Sequence, residues 1–299
     1  MRILITGSNG LLGQKIIYGY KNDHDVELIA TARGENRMLN KEGYEFRVLD
    51  ISNRTEVFNV LSDVKPDCVI NTAAMTNVDA CELNHQECDL LNVSAVQNLA
   101  DACDENNIHL IHLSTDFIFD GKNGPYSEDD KPSPLSYYGQ SKLIGEEIVR
   151  KCSCPWTIIR TVLVIGITEG MSRSNIVLWA KGALEKGNEI NVVDDQFRTP
   201  TLAEDLAQGC ILAAKQRATG VYNISGKDFM SIYELVKHVA ARWNLDSSLI
   251  KKTTSDSLNQ PAKRPPVTGF VLEKAIKELG YKPHSFKEAL GIIQSQIEA

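Results

Sequence analysis

Several things are scarce in this 299-residue sequence, and each scarcity excludes something. No run of about eighteen apolar residues occurs, so no membrane-spanning helix is expected. A secretory leader is not expected either: Ile3-Leu4-Ile5 runs straight into Thr6-Gly7 without a long apolar region or a cleavage site, which makes the cytoplasm the expected location. Basic charge is in deficit, with 32 Lys and Arg against 39 Asp and Glu and a net charge of −7, so a nucleic-acid partner is not expected. The cysteines are few and scattered at positions 68, 81, 88, 103, 152, 154 and 210. Cys152-x-Cys154 is the only close pair, CxxC spacing is missing, and the histidines are dispersed. These thiols read as reduced, small apolar residues, and no metal site is expected.

What is present is ordinary globular composition, 42% hydrophobic and 24% charged. Short apolar runs at 2–6, 26–30, 46–49, 68–71, 110–114 and 156–160 predict strands. Helical patterns lie between them at 11–20, 54–64, 86–106 and 134–151, the last with Ser133 as N-cap and Pro134 in its first turn. In the long helix, Leu90, Leu91, Val93, Val96, Leu99 and Ala100 are expected inside. Strands alternating with helices predict an α/β fold, a doubly wound parallel sheet. After residue 160 the pattern changes. Helices are expected at 174–186, 203–216, 232–243, 272–279 and 286–296, strands near 190–193 and 221–224, and a polar surface loop at 251–268. The expected division is a dinucleotide domain from 1–160 plus about 194–225, interleaved with a smaller mixed α/β substrate domain from about 161–193 and 226–299. His112 and the tryptophans Trp156, Trp179 and Trp243 lie in apolar patterns and read as core.

Gly7-Ser-Asn-Gly10-Leu-Leu-Gly13 joins the first strand to the first helix. Gly7 permits a tight turn, Gly10 a close backbone approach to a pyrophosphate, and Gly13 close helix–strand packing. The helix N-terminus then offers N–H groups to the phosphates. Asn9, Leu11 and Leu12 of this turn are counted with the expected cofactor contacts. At the end of the second strand no acidic residue is found for a ribose 2′-hydroxyl. Arg33 stands there instead, suited to a 2′-phosphate, so NADP(H) is favoured with NAD(H) as the alternative.

Tyr138 and Lys142 are four residues apart, on one helix face. An ammonium one turn away stabilises a phenolate and readies the tyrosine for proton exchange with an alcohol or carbonyl. Thr115 ends an expected strand upstream, where open parallel sheets bind ligands.

The GxxGxxG spacing resembles that of the extended short-chain dehydrogenase/reductases. Within that superfamily, Ser114-Thr115-Asp116-Phe117-Ile118-Phe119-Asp120-Gly121, residues 71–79 with Glu82, Leu91-Asn92, residues 134–139 and residues 195–201 resemble the dTDP-4-dehydrorhamnose reductase family. The resemblance implies an oxidoreductase that reduces a nucleotide-linked 4-keto-6-deoxy sugar. Thr115 would polarise the carbonyl, Tyr138 would donate the proton, and Lys142 would tune Tyr138 and hold the nicotinamide ribose. Asp50 and Ile51 would lie at the adenine, Thr72, Ala73 and Ala74 beneath the cofactor, and Asn92 beside the proton relay. Thr76, Asp116, Arg198 and Arg264 are the expected substrate contacts. A homodimer is the assembly left open. Leu163 and Ile165 replace an aromatic pair of the family, on a wall expected to face the sugar. Two other readings stand beside this one. The motifs also resemble those of the regulatory β subunits of methionine adenosyltransferase, which implies a non-catalytic NADP-binding subunit. The third reading is a nucleotide-sugar epimerase.

Overall fold

The computed structural model describes residues 1–170 and 174–298, so part of the loop at 166–175 lies outside the described residues. Seven parallel strands form the central sheet: β1 (Arg2–Thr6), β2 (Glu27–Ala32), β3 (Glu45–Val48), β4 (Cys68–Asn71), β5 (His109–Thr115), β6 (Trp156–Thr161) and, later in the chain, β11 (Gly220–Asn223). Their order is β11-β6-β5-β4-β1-β2-β3. Strand order reverses between β1 and β4, which opens a crevice at their carboxyl ends. Four two- to four-residue strands, β7 (Val164–Ile165), β8 (Ile190–Val193), β9 (Phe197–Arg198) and β10 (Thr201–Leu202), precede β11; β12 (Met230–Ser231) and β13 (Ile250–Thr253) follow it.

The strands are apolar on both sides because helices cover both faces. On one face Leu4, Ile29, Val69, Leu110 and Ile158 meet α2 (Arg54–Val64), α5 (Ala95–Asn106) and α6 (Tyr137–Arg150). On the other, Ile3, Ile5, Ile70 and Ile111 meet α1 (Leu11–Tyr20) and α8 (Ala203–Lys215). The short helices α3 (Val78–Leu83) and α4 (His85–Asp89) lie between β4 and α5. A further apolar cluster joins α7 (Ile176–Glu185), β8, α9 (Ile232–Arg242) and α10 (Phe286–Glu298) through Val177, Ile190, Leu235 and Leu290. Phe270, Leu272, Leu279 and Tyr281 pack on the central sheet instead. No helix among the described residues is long and apolar enough to cross a membrane.

The structure departs from the sequence pattern in four places. Helix α6 starts at Tyr137, not Pro134. The Ser136 hydroxyl accepts the Gly139 N–H at 3.2 Å, while Ser133 donates its own N–H to Ile118 and holds the preceding segment off the helix. The long helix contains a π turn at Leu90–Ser94. Its wider winding turns Leu90 outward (44% exposed) and puts Asn92 inside. Residues 275–279 form a second π turn. The stretch expected as loop from 251 opens as β13, paired in parallel with β8.

Candidate active site

The turn after β1 is shaped by its glycines. Gly7 has φ +66, and a Cβ there would lie 2.9 Å from the Ala73 nitrogen. A Cβ on Gly13 would meet the Ser8 Cα at 2.6 Å. Gly10 precedes α1 with extended backbone and no side-chain cap, so the first amides, at Leu11, Leu12 and Gly13, are not claimed by a capping side chain. Helices α2, α3, α4, α6, α7 and α9 each carry one. An uncapped helix N-terminus beside a turn whose glycines let the backbone come close fits a pyrophosphate. Asn9 binds the Glu35 carbonyl and the Arg37 N–H, both at 2.9 Å, and so fixes the segment after β2. Arg33 is exposed at the end of that strand.

Across the crevice, the Thr72 hydroxyl donates to the Thr6 carbonyl at 2.6 Å, next to half-buried Ala73 and Ala74. Thr76 is exposed. Asp50 is half-buried after β3 and receives the Ser52 N–H and hydroxyl; Ile51 packs in the core beneath it. Asn92 accepts the Met75 N–H at 2.8 Å and donates to the Met75 carbonyl and to the Ser141 hydroxyl, both at 3.0 Å. The π turn thus links the segment after β4 to helix α6.

Thr115 ends β5, 6% exposed, and its hydroxyl donates to Asp116 at 3.1 Å. Tyr138, in the first turn of α6, is 8% exposed, and Phe117 meets its ring edge-on at 5.7 Å. Burial pushes its phenol well above the usual value; a hydrogen bond with Thr115 works the other way, and the Asp116 charge adds to the rise. The phenol therefore holds its proton. Lys142, one turn on, is buried and donates to the Leu113 carbonyl at 2.6 Å. Burial lowers its pKa to about 8, against the pull of the Glu146 carboxylate.

Beyond Asp116 and Phe117 opens a cavity of about 520 Å³, bounded also by Leu163, Trp179, Arg198 and Arg264. Asp116 is buried; burial raises its carboxyl pKa, opposed by the Arg198 charge 3.7 Å away and by hydrogen bonds from Thr268 and Thr115. Arg198 is itself buried and donates to the carbonyls of Pro265 at 2.7 Å and Pro266 at 3.1 Å. Arg264 forms a two-point pair with Asp79 of α3, at 2.7 and 3.1 Å. Of the two residues expected on the sugar-facing wall, Leu163 lines the cavity, in left-handed backbone with φ +38, but Ile165 is sealed in the α7/α9 cluster. Trp179, read from the sequence as core, is 43% exposed on the cavity wall.

His112, read from the sequence as core and buried here, belongs to the site, and so do Glu146 and Arg160, which the sequence reading passed over. His112 stands 3.4 Å from the Lys142 ammonium and 3.2 Å from the Asn71 amide; burial, then the Lys142 charge, keeps it unprotonated. Glu146 follows Lys142 at the next i+4 position and pairs with buried Arg160. Period-two alternation along β5 and a second i+4 step along α6 are the signals that point to them.

The family model described as RmlD substrate binding domain matches residues 1–298. A dTDP-4-dehydrorhamnose reductase of Aggregatibacter actinomycetemcomitans is 31% identical over 309 residues, covering 99% of both chains. Subunit beta of methionine adenosyltransferase 2 from Danio rerio is 31% identical over 88% of this chain and 80% of its own. Among solved structures, dTDP-4-dehydrorhamnose reductase of Bacillus anthracis in complex with NADP superposes with a TM-score of 0.84 at 26% identity, covering 99% of each chain.

Proposed function

From the premise that this chain belongs to the RmlD substrate binding domain family, we propose that it is an NADPH-dependent reductase of a nucleotide-linked 4-keto-6-deoxy sugar. One observation carries the reading: Tyr138 and Thr115 are both buried at the carboxyl end of β5, with Lys142 one turn on, at the end of the sheet where the uncapped glycine turn and a 520 Å³ cavity open. The NADP complex of the Bacillus anthracis relative supports the cofactor class. Gly7, Gly10, Gly13 and the amides of Leu11 and Leu12 would hold the pyrophosphate, with Asn9 fixing the segment that carries Arg33 toward a 2′-phosphate. Asp50 and Ile51 would bound the adenine. Thr72, Ala73, Ala74 and Lys142 would bound the nicotinamide half. The bound cofactor supplies the hydride.

The chain's own residues handle the proton. The Thr115 hydroxyl hydrogen-bonds the C4 carbonyl oxygen, and Tyr138 delivers its phenolic proton to that oxygen as it becomes a hydroxyl. Lys142 stabilises the phenolate left behind until a proton from solvent restores the phenol. Asn92 keeps this machinery in register by holding Met75 against Ser141. Arg264, on the cavity wall and held by Asp79, and exposed Thr76 would contact the diphosphate, and Arg198 positions Asp116 under the sugar. The substrate-binding part is drawn mainly from residues 161–193 and 226–299, with Asp116, Phe117 and Arg198 reaching the cavity from the cofactor part, residues 1–160 with 194–225.

The test is NADPH oxidation with dTDP-4-dehydro-6-deoxy-L-mannose, with wild type beside Tyr138→Phe. Turnover by the wild type and a loss of about 10²–10⁴-fold in kcat by the variant, with NADPH still bound, is the expected result. NADPH binding without turnover across several keto sugars overturns it and leaves the regulatory-subunit reading, whose representative shares as much identity with this chain as the reductase does. The epimerase reading predicts cofactor that stays bound and needs no added NADPH.

A further inference from the structure

Asp104, Cys152 and Cys154 bring one carboxylate oxygen and two sulfurs to within 4.8 Å of one another. They lie at the end of the sheet opposite Tyr138: Asp104 on the last turn of α5, the cysteines on the connection from α6 to β6. The connection bends at Ser153 and Cys154, and this bend brings both thiols of the Cys-x-Cys pair to one spot. The carboxylate is already fixed there, accepting the Cys154 N–H at 2.8 Å. On the other side, the Cys152 N–H binds the Val149 carbonyl at 3.1 Å and its sulfur lies 3.8 Å from the Ile148 carbonyl. Two helices, α5 and α6, therefore end at this place and direct the negative ends of their dipoles toward it. Cys154 is 4% exposed and Cys152 is half-buried, so one ligand is shielded and the other reachable.

Thiol pairs with a carboxylate suit a soft or borderline divalent cation rather than Mg²⁺ or Ca²⁺, which take oxygen donors. We propose that Asp104, Cys152 and Cys154 form a binding site for Zn²⁺, or for Cd²⁺ as its chemical stand-in, with water as the fourth ligand. Tetrahedral zinc with sulfur at about 2.3 Å and oxygen at about 2.0–2.2 Å needs donors roughly 3.5–3.8 Å apart. A rotation of the half-buried Cys152 side chain closes the difference. Each thiol gives its proton to solvent as its sulfur binds: the cation and two thiols yield a dithiolate complex and two protons. The site is remote from the candidate active site. Its effect is to clamp the end of α5 to the start of β6, and the sequence hid it because the third ligand lies 50 residues before Cys154.

The experiment titrates Cd²⁺ alone into the full, reduced chain and follows thiolate-to-metal charge-transfer absorbance, with Zn²⁺ added in competition. One equivalent per chain is expected. Cys152→Ser and Cys154→Ser each weaken binding at least tenfold, and Asp104→Asn weakens it while keeping the band. Zn²⁺ raises the Tm of the wild type and not of Cys154→Ser. Should the variants fold poorly, slower alkylation of Cys152 by iodoacetamide when Cd²⁺ is added to the wild type gives the same answer. A band of equal strength in the double serine variant, or alkylation of Cys152 unaffected by Cd²⁺, overturns the proposal.

Discussion

Arg160 grips Glu146 through two hydrogen bonds, Nε to Oε1 at 2.9 Å and Nη2 to Oε2 at 2.8 Å, with both side chains sealed in the core behind Lys142. Burial works to raise the Glu146 carboxyl pKa, but the hydrogen bond and charge of Arg160 outweigh it and hold the group below the usual range. Removing one partner leaves a buried charge without compensation, which costs about 3–5 kcal/mol. Arg160→Met is therefore expected to lose that much in urea unfolding at pH 7, and Arg160→Met with Glu146→Leu to recover most of it. Because the folded carboxyl is depressed, its contribution is complete above the unfolded value of about 4.3 and is lost as pH falls through the folded one. A loss below about 1 kcal/mol in the single variant would contradict this reading.

Lys142 gives two pH responses of opposite sign. Its folded value is about 8 against 10.5 for the free side chain, chiefly through burial. Below pH 8 it is charged in both folded and unfolded states. Between about 8 and 10.5 the folded chain binds fewer protons than the unfolded one, so this residue makes stability rise with pH. In the proposed mechanism the ammonium is the active form, so kcat/KM falls as pH rises through about 8. Lys142→Met is expected to abolish the rise in stability together with most of the activity. Tm and kcat/KM measured from pH 7 to 9.5 on both proteins check it. A wild-type kcat/KM that is flat through pH 8 removes Lys142 from the proton chemistry.

The glycine turn, the strand ends and the Tyr138/Lys142 face were legible because each depends on local spacing: a βα junction needs glycines at set offsets, and a helix repeats every 3.6 residues. The start of α6 was not, since Ser133 and Ser136 are equally good caps by residue type and the choice follows from the Ser133 N–H bonding Ile118 across the loop. The π turn at Asn92 was hidden for the same reason. Its extra residue is held by Met75 and Ser141, partners 17 and 49 positions away. Arg198 and Arg264 were recognisable as cations, but their partners Pro265, Pro266 and Asp79 come from remote segments. Trp179 sits in an apolar stretch that packs one side against the core, and only the meeting of α7 with the β6–β7 turn leaves it open to the cavity.

Arg33 sets the cofactor preference in this reading. It is exposed at the end of β2, on a segment that Asn9 anchors to the glycine turn. A guanidinium there binds a 2′-phosphate through a planar fork of donors, and a charge-assisted pair of this kind is worth about 1.5–3 kcal/mol. Arg33→Ala is expected to raise the Kd for NADPH by roughly ten- to a hundredfold and to leave that for NADH within about threefold. Fluorescence titration with both cofactors checks it. An equal loss for the two would mean that Arg33 supports the turn and reads no phosphate.

Trp179 is expected to bind substrate and take no part in chemistry. It presents its indole to a mostly apolar cavity beside Leu163 and Ile176, in a lining that includes neither Tyr138 nor Thr115. A large aromatic face left open in a concave site gains most by covering the planar base or the apolar face of a sugar, and such stacking is worth about 1–3 kcal/mol. Because this contact does not change as the carbonyl is reduced, it contributes equally to ground state and transition state. Its loss therefore appears in KM and not in kcat. Trp179→Ala should raise KM for the nucleotide sugar by about five- to a hundredfold with kcat within twofold, and Trp179→Phe should recover most of the difference. The NADPH Kd, read in the same proteins, should not move. If kcat falls while KM stays constant, Trp179 shapes the reacting geometry, and the cavity wall formed by α7 is not where the nucleotide sugar is held.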